Sequence, residues 1–309
     1  MKQFTRRVQQ SRQLLGSEVI LTLVGQNQAE LEGILEELWT EIQIFEATFS
    51  RFKKSSELTA VNHKAGQHTA VSLEFVALSQ AAKLWSLSTD GLYNPFILPS
   101  LQAAGYQGSW PTVDRYDPET SYVNRQIVAA TQLQVGDTWI EIPPLTALDF
   151  GGIGKGYLLD QLVSQLPAIV TGYWFSLGGD IICGGYDLQQ CPWHIRIQKA
   201  DAEGSMGIVT NSDGQPLAIA TSGITKRRGA NWHHLIDPRT GYPADTDVLS
   251  ATVTSTNATA ADIYAKCLVI VGSEPAQQFA RMHNIKTMVL QYKDQHNNLE
   301  IYKTGEVDI

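Results

Sequence analysis

The sequence predicts an α+β fold, a single compact unit of mixed or antiparallel sheets flanked by helices. Apolar residues recur at helical spacing in several long segments, and in the last third of the chain short β-rich segments alternate with helices. No heptad, short-period repeat, low-complexity tract or long Pro/Ser/Gly linker interrupts the 309 residues. The length would allow two domains, but without a linker we expect one unit over residues 1–309, with an internal duplication as an alternative.

The first elements follow from residue patterns near the amino terminus. Residues 17–24 (SEVILTLV) are rich in β-branched residues and predict the first strand. The segment Gln28–Phe49 predicts an amphipathic helix, because its apolar residues fall on one face: Leu31, Leu35, Leu38, Ile42, Phe45 and Phe49. The polar segment that follows contains a candidate helix cap at Ser55 or Ser56.

The remaining elements are read in the same way. Residues 73–87 predict a second long helix that stops near Asp90-Gly91. Residues 107–124 are rich in Gly, Pro, Tyr and Asp and predict an irregular surface excursion. Paired strands are expected at about 127–135 and 137–142, and helices near 258–271 and 274–284.

The charge balance excludes several classes of partner. There are 31 acidic and 23 basic residues, which give a formal net charge of −8. Such a chain lacks the positive field that binding to a nucleic-acid polymer or an anionic membrane requires. A phosphate group must therefore be bound locally, by backbone amides, a metal ion or a few well-placed cations.

Compartment signals favour the cytoplasm. The amino-terminal residues include no apolar segment typical of a signal peptide, and no stretch reaches the roughly 18 apolar residues of a spanning helix. Cys183, Cys191 and Cys267 are too few and too scattered for a disulfide framework or a zinc site. We expect free thiols in a reducing compartment.

A glycine cluster is the first candidate site. Asp149 precedes four glycines within six residues, and Lys155 lies among them. The cluster fits neither a Walker A loop, which needs glycine at 149 and Ser or Thr at 156, nor the GxGxxG dinucleotide pattern, which needs glycine at 157. Bare amides at a helix amino terminus could bind an anion, or the glycines could serve only a tight turn with positive φ. Both interpretations stay open.

A second group of candidates lies nearer the carboxyl terminus. The run 226–228 (Lys-Arg-Arg) is typical of a solvated loop, and it precedes His233-His234. Only one of two adjacent strand residues can face a given site, where a histidine could act as a general base or bind a metal. On the predicted helix after them, Asp262 and Lys266 share a face, which suits either a buried ion pair or a metal ligand at Asp262.

Taken together, these segments resemble the FAD:protein FMN transferase family, also called the ApbE family. The resemblance covers most of the chain and keeps the family's order of motifs. Residues 15–17 are similar to an opening Met-Gly-Thr, and residues 49–62 to a segment containing Tyr and Ser-Glu-Leu. The later matches are LDFGGIGKGYLLD (148–160), FSLGGDIICGG (175–185), IATSG (219–223), HHLIDPRTGYP (233–243) and ATAAD (258–262).

The resemblance implies roles for particular residues. It implies that Asp149 and Lys155 contact FAD, and that Leu15, Phe52 and Ile236 line the cofactor site. Leu15 occupies the position of the family's methionine, and Phe52 that of a tyrosine that meets the flavin.

The same resemblance implies a catalytic base and a metal site. His234 is the candidate base, the backbone carbonyl of Gly152 and the side chain of Asp262 are candidate ligands of Mg²⁺, and Lys266 stands where the family has a metal-binding threonine. An ammonium group cannot ligate Mg²⁺. Our hypothesis is that Lys266 substitutes for the metal site or weakens it.

The activity implied by the resemblance is the Mg²⁺-assisted transfer of the FMN part of FAD to a Thr or Ser hydroxyl of a target protein, with release of AMP. Charge neutralisation at the pyrophosphate and a base for the hydroxyl are the chemistry that this reaction needs. Two alternatives stay open: a non-catalytic FAD-binding protein that has lost the metal site, and a Mg²⁺-dependent FAD pyrophosphatase that gives FMN and AMP.

Overall fold

The structure is a computed structural model that describes residues 5–106, 127–229 and 232–309. The predicted excursion at 107–124 lies outside these residues. The helices of the described residues are α1 (Gln28–Phe49), α2 (Glu57–Asn62), α3 (Leu73–Ser88), α4 (Leu98–Ala103), α5 (Gly154–Ser164), α6 (Ala258–Val271) and α7 (Ser273–Met282).

Fifteen strands are present in the same part of the chain. They are β1 (Arg6–Leu14), β2 (Ser17–Gly25), β3 (Thr69–Ala70), β4 (Gln134–Val135), β5 (Trp139–Glu141), β6 (Val170–Leu177), β7 (Asp180–Gly185), β8 (Trp193–Gln198), β9 (Ser205–Asn211), β10 (Leu217–Gly223), β11 (Ile236–Asp237), β12 (Tyr242–Pro243), β13 (Val248–Ser255), β14 (Thr287–Lys293) and β15 (Leu299–Thr304).

The largest sheet has eight strands in the order β1-β2-β6-β7-β10-β13-β14-β15. Every neighbouring pair in it is antiparallel. Smaller antiparallel sheets are formed by β3-β5-β4, β8-β9 and β11-β12. This arrangement confirms the predicted α+β class with antiparallel sheets flanked by helices.

Two apolar cores hold the helices against the large sheet. One core joins β2 and β6 to α1 and α5. The other joins the end of α1 to α3, the three-stranded sheet, β13 and β14. Helix α6 contributes to both cores, Ala258 and Ala261 to the first and Ile263 and Leu268 to the second. Burial of the apolar faces of α5 and α6 stabilises the fold by roughly 25 cal/mol per Å² of apolar surface. This burial holds the two helices next to each other.

The predicted long helices are confirmed, and the cap of α2 is Ser56, whose hydroxyl accepts a hydrogen bond from the backbone of Thr59 at 3.1 Å. The strands expected at 127–135 and 137–142 are shorter than predicted, because a 3₁₀ turn at Ala130–Gln132 occupies part of the first segment. β1 was not predicted. It is an edge strand in which Val8 alone is buried, so it carries no alternating apolar pattern.

The cysteines and helices show two further features. Cys183 and Cys267 are buried, Cys191 is exposed, and all three are free thiols. None of the helices in the described ranges combines the length and the apolar character needed to cross a lipid bilayer.

Candidate functional site

A cavity of about 390 Å³ lies where the end of α1, the loop before α5, the loop after β10 and helix α6 meet. Eight of the nine residues singled out in the sequence line it, although they come from distant parts of the chain: Leu15, Phe52, Asp149, Gly152, Lys155, His234, Ile236 and Lys266. The ninth, Asp262, is 1% exposed and does not line the cavity. It forms an ion pair with Lys266, which does.

Asp149 organises the glycine loop from within. Its backbone N–H donates to the carbonyl of Pro95 at 2.8 Å. One carboxylate oxygen accepts a hydrogen bond from the N–H of Gly151 at 2.7 Å, and the other lies 3.2 Å from Nε of Arg51. Because both oxygens have protein partners, the buried carboxylate fixes the shape of the loop and the position of the Arg51 guanidinium.

The glycines of this loop serve close contacts rather than a left-handed turn. None of Gly151, Gly152, Gly154 and Gly156 has a positive φ, so the expectation that they serve only such a turn is wrong. A Cβ at Gly152 would lie 3.1 Å from the ring of Tyr93, and one at Gly156 would lie 2.6 Å from the backbone oxygen of Ala258. At Gly152 and Gly156 a side chain is thus excluded because neighbouring groups pack directly against the backbone.

Lys155 is presented to the cavity at the start of α5. Its ammonium forms an ion pair with Asp180, the first residue of β7. Gly178 and Gly179 have φ values of 63° and 99° and make the two-residue turn that brings Asp180 to this point. Burial lowers the pKa of Lys155 to about 8, while the charge of the nearby Asp262 carboxylate acts in the opposite direction.

Lys266 enters the cavity from α6. Its ammonium forms an ion pair with Asp262 one turn earlier and lies 3.3 Å from the backbone oxygen of the same residue. The second carboxylate oxygen of Asp262 is buried and has no hydrogen-bond partner within the described ranges. Of the two interpretations of this pair, the structure shows the ion pair.

The donor set at this position does not fit Mg²⁺. Magnesium prefers six oxygen ligands in octahedral geometry, and it is usually held by carboxylates. Here Asp262 is paired with an ammonium group, and in residues 5–106, 127–229 and 232–309 no three His, Cys, Asp or Glu side chains are grouped so as to hold a metal ion. Lys266 supplies a positive charge at the point where a further oxygen donor would be needed.

His234 lines the same cavity, and its ring is neutral at physiological pH. Burial lowers its pKa to about 3, and the positive charges of Arg227 and Lys266 act in the same direction. Its Nδ1 has no hydrogen-bond partner in the part of the chain that is described. The neighbouring His233 is used structurally, since its Nε2 lies 3.0 Å from the carbonyl oxygen of Ala244.

Arg227 differs in its position from the other two residues of the basic run 226–228, and the sequence did not predict this difference. Lys226 and Arg228 are exposed, as expected for a solvated loop, but Arg227 lines the cavity. Its φ of 37° lies in the left-handed region, an unfavourable conformation for a residue with a side chain. Backbone strain of this kind persists where surrounding structure enforces it, and functional sites are common locations.

Phe52 and Tyr106 form an aromatic wall of the cavity. The Arg51 guanidinium lies 4.6 Å from the centre of the Phe52 ring and 4.5 Å from that of Tyr106, in the corner formed by these two nearly perpendicular rings. Phe52 remains 46% exposed, and Ile236 packs beside Tyr106 in a small apolar cluster. Arg51 and Tyr106 were missed in the sequence, where a single Arg-Phe pair and a lone tyrosine carry no recognisable signal.

Leu15 reaches the cavity from the turn between β1 and β2. Leu15 and Gly16 both have positive φ, 56° and 67°, as a two-residue hairpin of this type requires. The N–H of Leu15 donates to a carboxylate oxygen of Glu46 at 2.6 Å, which fixes the turn to the end of α1.

Three of the eight buried polar atoms that have no partner within the described residues lie at or next to this cavity. Besides His234 and Asp262, the hydroxyl of Tyr93 is buried with no partner among the described residues. The pKa of Tyr93 is raised well above its ordinary value by burial and by the charges of Asp149 and Asp262. Because native structures rarely leave buried polar groups unsatisfied, the cluster indicates a site for a polar ligand.

The chain is similar in sequence to a known family. The sequence profile of the ApbE family matches residues 15–289. A relative from Klebsiella pneumoniae, named FAD:protein FMN transferase, is 30% identical over 272 residues, which cover 84% of this chain and 81% of the relative. One of the same name from Vibrio cholerae is 28% identical over 273 residues, covering 85% and 78%.

Solved structures show the same fold. The apo form of the Pseudomonas stutzeri flavinyl transferase ApbE superposes with a TM-score of 0.83 at 20% identity, covering 98% of this chain and 96% of that one. The Vibrio cholerae flavin transferase ApbE gives a TM-score of 0.82 at 25% identity, covering 97% and 98%. The profile match and the 30% identical relative together show that the chain belongs to the ApbE family.

Proposed function

We propose that this chain transfers the FMN part of FAD to a Thr or Ser hydroxyl of a target protein and releases AMP. The observation that carries the proposal is the convergence of Lys155, Arg227 and Lys266 with a neutral histidine and an exposed aromatic ring on one cavity. The names of the relatives, FAD:protein FMN transferase, support the choice of FAD and of a protein acceptor.

The cations suit the pyrophosphate of FAD. In the reaction, the acceptor oxygen forms a bond to the flavin-side phosphorus, and the bond from this phosphorus to the bridging oxygen breaks. AMP leaves with the bridging oxygen and its electron pair, so negative charge develops on that oxygen. Ammonium and guanidinium groups in a partly buried cavity stabilise this charge more strongly than they would in water.

His234 is the proposed base for the acceptor hydroxyl. Its unpartnered Nδ1 can accept the hydroxyl proton. A pKa of about 3 makes the free site a weak base, but part of the lowering comes from the charges of Arg227 and Lys266. Bound pyrophosphate neutralises these charges, and we therefore expect the pKa of His234 to rise when FAD binds.

The aromatic wall suits the flavin. The exposed Phe52 ring offers a flat apolar surface for stacking, and the guanidinium of Arg51 stiffens it from behind. Leu15 and Ile236 provide further apolar lining. The cavity lining thus combines charged and apolar groups, which suits a ligand that has a pyrophosphate and an isoalloxazine ring.

The test is an incubation with FAD and a flavin-acceptor protein of one of the named relatives, with and without Mg²⁺. We expect a fluorescent flavin band on the acceptor in a denaturing gel and an equal amount of AMP by chromatography. His234→Asn is expected to lower the rate by about a hundredfold or more, whereas the exposed His296→Asn serves as the matched control.

Two outcomes would contradict the proposal. AMP and FMN released without labelling of the acceptor would identify a pyrophosphatase that uses water in place of the hydroxyl. Tight FAD binding with neither product would identify a binding protein. The acceptor variant that lacks its Thr or Ser hydroxyl must stay unlabelled.

A further inference from the structure

The cavity contains an excess of positive charge in an acidic protein. Four ion pairs surround it: Lys53–Glu46, Arg51–Asp149, Lys155–Asp180 and Lys266–Asp262. Arg227 forms no ion pair within the described residues, although it lines the same cavity. The net charge of the chain is −8, so general attraction does not explain this local cation cluster.

Lys155 on α5 and Lys266 on α6 come from neighbouring helices, and their charges interact. The charges of Lys266 and Arg227 both lower the pKa of Lys155, and the same two charges lower that of His234. Mutual repulsion of this kind costs stability in the empty site and is removed when an anion binds between the groups. The arrangement is therefore suited to a ligand that carries more than one negative charge.

Lys266 is held at the edge of the glycine loop. Its Cδ lies 3.9 Å from the position of a Cβ on Gly152, and its side chain is 16% exposed. Asp262 holds the ammonium from behind, so the group cannot swing into solvent without leaving a buried carboxylate unpaired. The ammonium is thus a fixed cation at the place where the resemblance predicts a metal ion.

We propose that Lys266, with Lys155 and Arg227, takes the role of the divalent cation, so that FAD binding and FMN transfer proceed without Mg²⁺. This inference rests on the proposed function. When the acceptor oxygen bonds to the flavin-side phosphorus and AMP departs with the bridging oxygen, the ammonium groups neutralise the charge on the phosphate oxygens. The hydroxyl proton passes to Nδ1 of His234.

The substitution Lys266→Thr tests the role of the ammonium. It places an oxygen donor beside the unpartnered oxygen of Asp262 and removes the competing charge. In the presence of a chelator we expect this variant to bind FAD about tenfold or more weakly than the wild type. Saturating Mg²⁺ should restore its affinity and raise its melting temperature.

Two further variants make the comparison specific. Lys266→Met removes the charge without supplying an oxygen donor, so its weak FAD binding should not respond to Mg²⁺. Lys286→Thr makes the same exchange at an exposed lysine before β14 and should leave both FAD affinity and metal response unchanged.

The wild type itself gives the decisive measurement, which does not depend on any variant folding. Chelator-treated protein is titrated with FAD by flavin fluorescence, with and without Mg²⁺, and with Mn²⁺ by electron paramagnetic resonance. We expect equal FAD affinities and no Mn²⁺ binding. Specific Mn²⁺ binding together with Mg²⁺-dependent FAD binding would overturn the inference.

The transfer assay separates this inference from the proposed function. Flavin transfer that occurs only with Mg²⁺ would uphold the function and refute the role of Lys266. Metal-independent FAD binding with no labelled acceptor would refute the function and metal-free transfer, and would support only the role of the cations in FAD binding. Transfer in the presence of chelator supports both.

Discussion

At the scale of single residues, the cavity changes the protonation of two side chains in ways that can be measured. Burial lowers the pKa of Lys155 to about 8, which brings the loss of its charge into an accessible pH range. Burial also lowers the pKa of His234 to about 3, so its ring stays neutral in mildly acidic solution. Each shift leads to a separate prediction.

FAD binding is predicted to weaken as the pH rises through about 8. The free site loses the charge of Lys155 above that pH, and a neutral amine attracts the pyrophosphate less strongly. We expect a loss of about tenfold in affinity at high pH, measured by flavin fluorescence. Lys155→Arg keeps its charge at high pH, so its FAD affinity should depend less on pH. The exposed Lys286→Arg should leave the pH dependence of FAD affinity unchanged. An identical decline in Lys155→Arg would show that another group titrates.

His234 is predicted to make the protein sensitive to acid. Its pKa falls from the ordinary 6.5 to about 3 on folding, so the unfolded chain takes up the proton first. The stability from the neutral ring is complete above pH 6.5 and is lost as the pH falls towards about 3. In mild acid, the free energy of unfolding measured with urea should therefore fall with decreasing pH less steeply in His234→Gln than in the wild type, by about 1 kcal/mol per pH unit. If its slope equals that of the control His296→Gln, the prediction is wrong.

At the scale of elements, the contact between α5 and α6 sets the distance between Lys155 and Lys266. Asp160 on α5 accepts hydrogen bonds from the first backbone N–H groups of α6, Ala258 at 2.7 Å and Thr259 at 2.9 Å. A carboxylate at this helix amino terminus also complements the helix dipole. These bonds join the second half of α5 to the first turn of α6, and Lys155 and Lys266 lie farther along the same two helices.

Gly156→Ala is predicted to destabilise the protein by about 1–3 kcal/mol. The added Cβ would meet backbone atoms of Ala258 and Thr259 at 2.6 and 2.7 Å, which cannot move without shifting α6. FAD affinity should fall as well, because Lys155 and Lys266 would be displaced from each other. Urea unfolding and flavin fluorescence measure the two effects.

The matched control is Gly33→Ala in the second turn of α1. A Cβ at Gly33 meets nothing within 4 Å, so the substitution should raise stability by roughly 0.5–1 kcal/mol through helix propensity. Equal effects at the two glycines would refute the importance of the close helix contact.

At the scale of the whole molecule, the cavity gathers segments from residue 15 to residue 270. The first strands lie next to β6, and the last strands extend the same sheet from its other end. The organisation of the chain as one unit stays a prediction, as does its cytoplasmic location.

We predict a single unfolding transition. Circular dichroism and tryptophan fluorescence should give the same midpoint, and FAD at a hundredfold excess over its Kd should stabilise the fold by about 2.7 kcal/mol in both signals. Two separate unfolding transitions, with FAD shifting the midpoint of only one of them, would show two independent units.

Much of this fold could be predicted because the responsible patterns are local. The apolar residues of Gln28–Phe49 and of 258–271 repeat with the helical period, and each helix begins where an asparagine side chain caps it. β1 escaped prediction because an edge strand with polar residues on both faces has no such pattern. The glycine loop could be found in the sequence, but the reason for its glycines could not, since Tyr93 and Ala258 approach from distant segments.

The sequence by itself determined the α+β class, the main helices, the order of the family motifs and the presence of lysine at position 266. Only the tertiary structure decided that Asp180 pairs with Lys155, that Arg51 is stacked on aromatic rings and that Arg227 alone of its basic run faces the cavity. The physical reason is that helical period and capping act between residues a few positions apart. The convergence of charges depends on the order of strands in the sheet and on the packing of α5 against α6.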